Sequence, residues 1–161
     1  MKKQTTRFLT RAGVIGALYA ALTFAFLPYA YGPLQIRPAE ALTVLPAFFP
    51  ESIPGLYVGC MIANLGSSSA GIWDVVFGSL VTLIAAFLSR KMRHPLLVGI
   101  PPVVLNAFGI PLILVIAGGL PWGAYFTVVG QIALTQTLWV YGLGLPLYFY
   151  IKKQKEKGKK L

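Results

Sequence analysis

AGVIGALYAALTFAFLPYAYGPLQI, the run from Ala12 to Ile36, contains no charged residue. Its 25 residues exceed the roughly 20 that an α-helix needs to cross the hydrocarbon core of a bilayer. Lys2, Lys3, Arg7 and Arg11 precede it. A basic start and an apolar run also open a secretory signal peptide, but the apolar part of such a peptide covers only about 7–15 residues. The longer run reads as a retained membrane helix, and lipid becomes the expected solvent for the rest of the chain.

Other uncharged runs occupy Ala41–Pro50, Ser52–Trp73, Val75–Ser89 and His94–Ile151. Gly71-Ile72-Trp73 extends the fourth segment outward past Asp74. The last run is long enough for two helices, and Gly118-Gly119-Leu120-Pro121 is the natural break between them. The pattern predicts an all-α membrane protein with six transmembrane helices, roughly 8–30, 38–50, 53–66, 72–89, 95–118 and 121–151, in one integral membrane domain over residues 1–161. The second segment is short and carries Pro46. It is expected as a tilted or half-length helix, or as one arm of a re-entrant hairpin with the third.

Composition agrees. Of 161 residues, 57% are hydrophobic and only 11% charged, with a mean hydropathy of +0.73. Soluble domains carry about 25% charged residues, and disordered chains need low hydrophobicity, so both classes are excluded. The net charge of +10 would suggest nucleic acid in a soluble chain. Here 13 of the 14 cations fall into three groups beside apolar runs: the N-terminal four, then Arg90, Lys91 and Arg93, then six lysines from Lys152 to Lys160. Such groups mark cytoplasmic helix ends and favour anionic headgroups. With the N-terminus inside, six crossings put the loops at 29–37, 67–71 and 119–121 outside, and Glu51, 90–94 and the tail inside. The expected location is the cell membrane, both termini cytoplasmic.

No G-x-x-x-x-G-K-[ST] phosphate loop is present; Gly66-Ser67-Ser68-Ser69-Ala70-Gly71 lacks the lysine and reads as an external turn. His94 is the single histidine and Cys60 the single cysteine. A metal site, a catalytic triad and an internal disulfide are therefore not expected. His94 reads as an interfacial loop residue and Cys60 as a small packing residue.

Between residues 12 and 89 the ionisable charges are Arg37, Glu40, Glu51 and Asp74. Charge near lipid is costly and faces a partner, water or a ligand. Glu51 falls at the inner turn, where a solvated cap is expected. The other three fall outside. Pro38 suits a first helical position and places Glu40 in the first turn. An Arg37–Glu40 ion pair and direct ligand contact are both consistent with that spacing. Asp74 reads either as a helix cap beside an interfacial Trp73, or with Asn64 as part of a polar pocket with an aromatic wall. Trp122 lies just past the outer break. Asn106, Gln131 and Gln136 are neutral polar groups in the last two helices, available to neighbouring helices or to a ligand. Trp139, Tyr148 and Tyr150 read as packing or headgroup-belt residues.

Helix one carries two strips of small residues, Gly13, Ala17, Ala21 and Ala12, Gly16, Ala20. Gly55 and Gly59 repeat the spacing in the third segment. Small-xxx-small strips let helices approach closely, within one bundle or against a partner.

Tyr31-Gly32-Pro33-Leu34-Gln35-Ile36-Arg37, Glu40-Ala41-Leu42-Thr43-Val44-Leu45-Pro46, Ile53-Pro54-Gly55-Leu56-Tyr57-Val58-Gly59-Cys60 with Asn64, and Trp73-Asp74-Val75-Val76-Phe77-Gly78-Ser79-Leu80 together resemble the QueT family, substrate-binding S subunits of energy-coupling factor (ECF) transporters. After residue 95 the likeness is one of hydropathy. The resemblance implies a six-helix membrane subunit that captures a queuosine precursor of the 7-deazaguanine type from outside. It implies a T subunit and two ATPase subunits as partners, no catalysis and no cofactor in this chain, and docking on the T subunit through Gly13, Ala17 and Ala21, with Ala12, Gly16 and Ala20 expected beside them on the same face.

A deazaguanine offers N–H donors along its pyrimidine edge, which a carboxylate accepts as a pair. Glu40 and Asp74 are the candidates. Asn64 or Gln131 would meet the ring carbonyl, Trp73 or Trp122 would stack on the bicycle, and Arg37 would orient Glu40. Two other classes remain open from the residues themselves: a solitary ion-coupled carrier with Asp74 or Glu40 as proton site, and a membrane scaffold whose outer acids are caps.

Overall fold

The computed structural model describes residues 2–31, 34–67 and 70–158. Helix α1 (Lys2–Ala25) is followed by a short turn at Leu27–Tyr29 and a ten-residue 3₁₀ helix, Pro38–Ala47. Then come α2 (Ser52–Asn64), a π-turn (Asp74–Gly78) leading into α3 (Ser79–Lys91), α4 (Pro95–Val98) and α5 (Ile100–Ile116). A 3₁₀ turn (Trp122–Ala124), α6 (Tyr125–Trp139), a second π-turn (Val140–Gly144) and α7 (Leu145–Glu156) complete the chain. No strand occurs among the described residues. Helical segments come in the expected order, and the break between the last two lies between Ile116 and Trp122, as the Gly-Gly-Leu-Pro run predicts. Gly32, Pro33, Ser68, Ser69, Lys159 and Lys160, which figure in the expected loops, motifs and tail, lie outside the described residues.

Among the described residues, three stretches are long and apolar enough to cross a membrane: Gln4–Ala25, Pro95–Ile116 and Trp122–Glu156. Six crossings are thus met by length in three. Helix α2 has 13 residues, or about 20 Å at 1.5 Å per residue, against a hydrocarbon core of about 30 Å.

The 3₁₀ helix is the centre of the bundle. All of its residues except Ala47 are buried, and it packs against α1, α2, α3, α6, α7 and the second π-turn. Runs of 3₁₀ longer than 3–4 residues are uncommon. Two prolines favour one here. Pro38 starts it, and Pro46 would strike the carbonyl four residues back in an α-helix. At ~2.0 Å per residue ten residues reach about 20 Å, where an α-helix would reach about 15 Å. The tighter winding lets a short segment run from Arg37 to the turn at Phe48. Gly144 sits against it so closely that a Cβ would lie 2.9 Å from the Ala41 carbonyl oxygen.

Cations from all three basic groups converge on that turn. Arg11 pairs with Glu51 at 2.9 Å. Arg90 donates to the Pro46 carbonyl at 3.1 Å and Lys155 to the Phe48 carbonyl at 3.1 Å. Glu51 is therefore a buried ion-pair partner and not the solvated cap expected for it; its side chain makes no capping bond. Desolvation pushes its carboxyl up, but the Arg11 hydrogen bond, a backbone hydrogen bond and the charges of Arg11 and Lys155 outweigh this and hold it below the usual glutamate range.

The two strips on α1 part company. Ala12, Gly16 and Ala20 face inward. A Cβ on Gly16 would lie 2.8 Å from the Gly55 carbonyl oxygen, and one on Gly59 would lie 2.6 Å from that of Gly16. This strip is an internal helix–helix seam, which corrects its expected place beside the docking strip. Gly13, Ala17 and Ala21 are exposed. The seam gives a direct test. Gly59→Ala should lower the thermal unfolding midpoint, by an overpacking cost of about 1–3 kcal/mol, because the atom it meets is backbone. Gly13→Ala, with nothing within 4 Å of its added Cβ, should not. Equal midpoints for both variants would show that the seam tolerates separation.

Candidate functional site

The start of the 3₁₀ helix delivers Arg37 and Glu40 into a buried polar cluster. Glu40 is 1% exposed and both of its oxygens are engaged. The Tyr19 hydroxyl donates to Oε1 at 2.5 Å, and Asn106 Nδ2 donates to Oε2 at 3.3 Å. Arg37 Nε lies 3.9 Å from Oε1. Arg37 Nη2 donates to the Tyr19 hydroxyl at 3.2 Å and to Asn64 Oδ1 at 3.1 Å. The guanidinium also lies over the rings of Tyr19 and Tyr31, 5.7 and 5.5 Å from their centroids.

Asn64 joins this pair to the opposite wall. Its Nδ2 donates to the Asp74 carbonyl oxygen at 2.8 Å. The same amide lies 3.1 Å from where a Cβ on Gly78 would stand, so the π-turn can approach α2 only because residue 78 lacks a side chain. The Asp74 carboxylate accepts from the Ser67 hydroxyl, and the Tyr31 hydroxyl donates to the Ala63 carbonyl. Cys60 and Thr82 fill the floor, with Thr82 Oγ1 3.4 Å from Cys60 Sγ. Gln35, 2% exposed, holds φ +48°; the left-handed region is costly for a glutamine, and the bend turns the loop into the cluster.

Charge in the cluster does not balance. Arg37 and Glu40 compensate each other. Asp74 is 3% exposed and has no cation within 4.0 Å among the described residues.

Four of the residues expected at a site, Arg37, Glu40, Asn64 and Asp74, are thus brought together. The structure turns Trp73 and Trp122 away from them, and among the described residues no hydrogen bond links Gln131 to them. Trp73 stacks on Phe77 at 5.5 Å and lines an apolar groove of about 340 Å³ with Val81, Gly109 and Ile113. Trp122 is 68% exposed beside Tyr125. Gln131 is half-buried on α6, its Oε1 unpartnered among the described residues. Sequence reasoning missed Tyr19, Tyr31 and Cys60 as members. Tyr19 is one of two hydroxyl residues, with Thr23, in the apolar run of α1, and Cys60 stands one turn before Asn64. Those spacings are the signals that could have found them.

A family model described as QueT transporter matches residues 9–153. The chain belongs to the QueT transporter family. No curated protein and no solved structure matches it. As a QueT-family member it is a multi-pass membrane protein that handles a small-molecule substrate, and it is a transporter, not an enzyme.

The two acids should answer differently to neutralisation. Asp74→Asn removes the uncompensated charge and should weaken ligand binding about tenfold or more, the loss of a charge-assisted hydrogen bond, with folding intact. Glu40→Gln strands buried Arg37, at a cost of about 3–5 kcal/mol, so its thermal midpoint should fall sharply as well. Wild-type affinity in Asp74→Asn, measured by calorimetry on the purified protein, would exclude that carboxylate from ligand contact.

Proposed function

We propose that this chain is the substrate-binding S subunit of an ECF-type importer and captures a queuosine precursor, a 7-deazaguanine, at the cluster formed by Arg37, Glu40, Asn64 and Asp74. The observation that carries the reading is the buried, uncompensated carboxylate of Asp74 in a chain of the QueT transporter family. A buried charge without a countercharge is expensive, and a ligand presenting paired N–H groups or a cation would add to the Ser67 hydrogen bond and relieve it.

On this reading Asp74 is the direct acceptor for the pyrimidine edge, because both oxygens of Glu40 already have donors. Arg37 and Glu40 hold the frame. Asn64 braces Arg37 and Asp74 through its amide, and Tyr31, whose ring flanks Arg37, is placed to stack on the bicycle. An aminomethyl form of the substrate would pair its cation with Asp74. The helical segments form one membrane domain of six crossings in the cell membrane. The turn at 46–51 and its three basic groups face the cytoplasm, in accord with the positive-inside rule.

Energy on this reading comes from a T subunit and two ATPase subunits. The exposed strip Gly13, Ala17 and Ala21 is the docking face. Gly13 and Ala17 also line an apolar groove of about 370 Å³ between α1 and α2, with Pro54, Val58 and Ile62 on the far side. Close approach of small residues is a main source of helix affinity in lipid.

The test separates capture from coupling. Mass spectrometry of solute copurifying with the wild-type subunit from rich medium should find a 7-deazaguanine. Ala17→Trp should abolish assembly with the T subunit and uptake, while solute binding to the isolated subunit is unchanged. Uptake that survives Ala17→Trp would move the docking face elsewhere, and uptake by the chain with no ATPase partner would overturn the S-subunit reading.

A further inference from the structure

Helix α6 carries polar atoms that its neighbours leave unanswered. Gln136 is 2% exposed, and its Oε1 is buried with no hydrogen-bond partner among the described residues. Trp139 Nε1, nearly one turn further on, is also buried without a partner. An acceptor and a donor thus stand unused three residues apart on one helix.

The depth of Gln136 is set by the apolar layers on either side. Ile110 and Ile132 belong to one cluster with Leu114 and Val128. Val103 packs against another that holds Val140 and Val44. Clusters that hold 110 with 132 and 103 with 140 fit α5 and α6 running antiparallel. Between those layers α5 presents Asn106, four residues before Ile110, and α6 presents Gln136, four residues after Ile132. Both are buried. Asn106 reaches across to Glu40 Oε2 at 3.3 Å, so the layer that holds Gln136 adjoins the Glu40 carboxylate of the candidate site.

We propose that Gln136 is a substrate-contacting residue, its side-chain carbonyl accepting the exocyclic-amine or pyrrole N–H of a flat heterocycle held beside Glu40 and Asn106. The inference rests on the S-subunit reading and adds a specificity contact from α6, where Gln136 is the more buried of the two glutamines. Buried carbonyls are nearly always satisfied. One left open in the layer of a ligand site is matched by the ligand's own donors, and the protein carries the cost when empty. Acceptors of this kind discriminate strongly, because an analogue lacking the N–H leaves the carbonyl stranded.

The experiment uses the full-length subunit in lipid nanodiscs and three probes: 7-deazaguanine, 7-deazahypoxanthine, which lacks the exocyclic amine, and 9-methyl-7-deazaguanine, which lacks the pyrrole N–H. Gln136→Met should weaken 7-deazaguanine about tenfold. For the analogue that lacks the N–H in question, variant and wild type should bind equally. The ligand-free variant should melt no lower than wild type, since it removes an unpaired group. An equal loss for all three probes, or no loss for any, would overturn the proposal. Should none of the three bind wild type, the deazaguanine reading fails on its own. Ligand-free melting then decides Gln136: a higher midpoint for Gln136→Met sustains a carbonyl reserved for another N–H-bearing solute, and a lower one shows a structural bond and overturns it.

Discussion

The ion pair of Arg37 and Glu40, buried at the head of a 3₁₀ helix that lies at the centre of the bundle, is the constraint on which the rest depends. Two charges in a low-dielectric interior are tolerated only when their remaining donors and acceptors are met. Here most are met, from three helices: Tyr19 of α1, Asn64 and Cys60 of α2, and Asn106 of α5, while Arg37 Nε faces Glu40 at 3.9 Å without a hydrogen bond. Each bond fixes one helix against the central segment. The cluster therefore sets the arrangement of the helices at the same time as it forms the wall of a site. At the other end of the same segment, Glu51, Pro46 and Phe48 are held by one cation from each basic group. The central helix is pinned at both ends by charge and along its length by apolar packing.

The fold class was legible because lipid leaves so few options. An uncharged run that opens like Ala12–Ala25 is a helix in that solvent, and Gly118–Pro121 marks a break that the structure places between Ile116 and Trp122. Length was less legible. An uncharged run such as Ser52–Trp73 says where water is absent, not where the helix stops, and α2 ends at Asn64 because Asn64 and Ser67 turn their polar groups toward Asp74. The 3₁₀ winding of Pro38–Ala47 was hidden too, since its two prolines signal that an α-helix is disturbed without saying what replaces it.

At the site, the charged residues were legible and their partners were not. Arg37 and Glu40 are three apart and Asp74 stands out in an apolar run. Tyr19 and Cys60 look like ordinary packing residues until the bundle brings them 21 and 23 positions across the sequence to Glu40 and Arg37. Glu51 was misread for the same reason, its partner Arg11 being 40 residues away. The aromatic wall was misplaced because a tryptophan at a membrane interface has two uses, and the exposure of Trp73 and Trp122 fits the headgroup region. The small-residue strips divided into a seam and a free face, a distinction that depends on which side α2 packs.

The most direct measurement of this account is a thermal-stability cycle on Arg37 and Glu40 in the purified, lipid-embedded protein. Arg37→Met and Glu40→Leu each strand a buried charge and should each lower the unfolding midpoint strongly. The double variant should recover a large part of either loss, because the apolar pair leaves no charge unpaired. Losses that simply add would contradict the account and show that the two residues are held independently of one another.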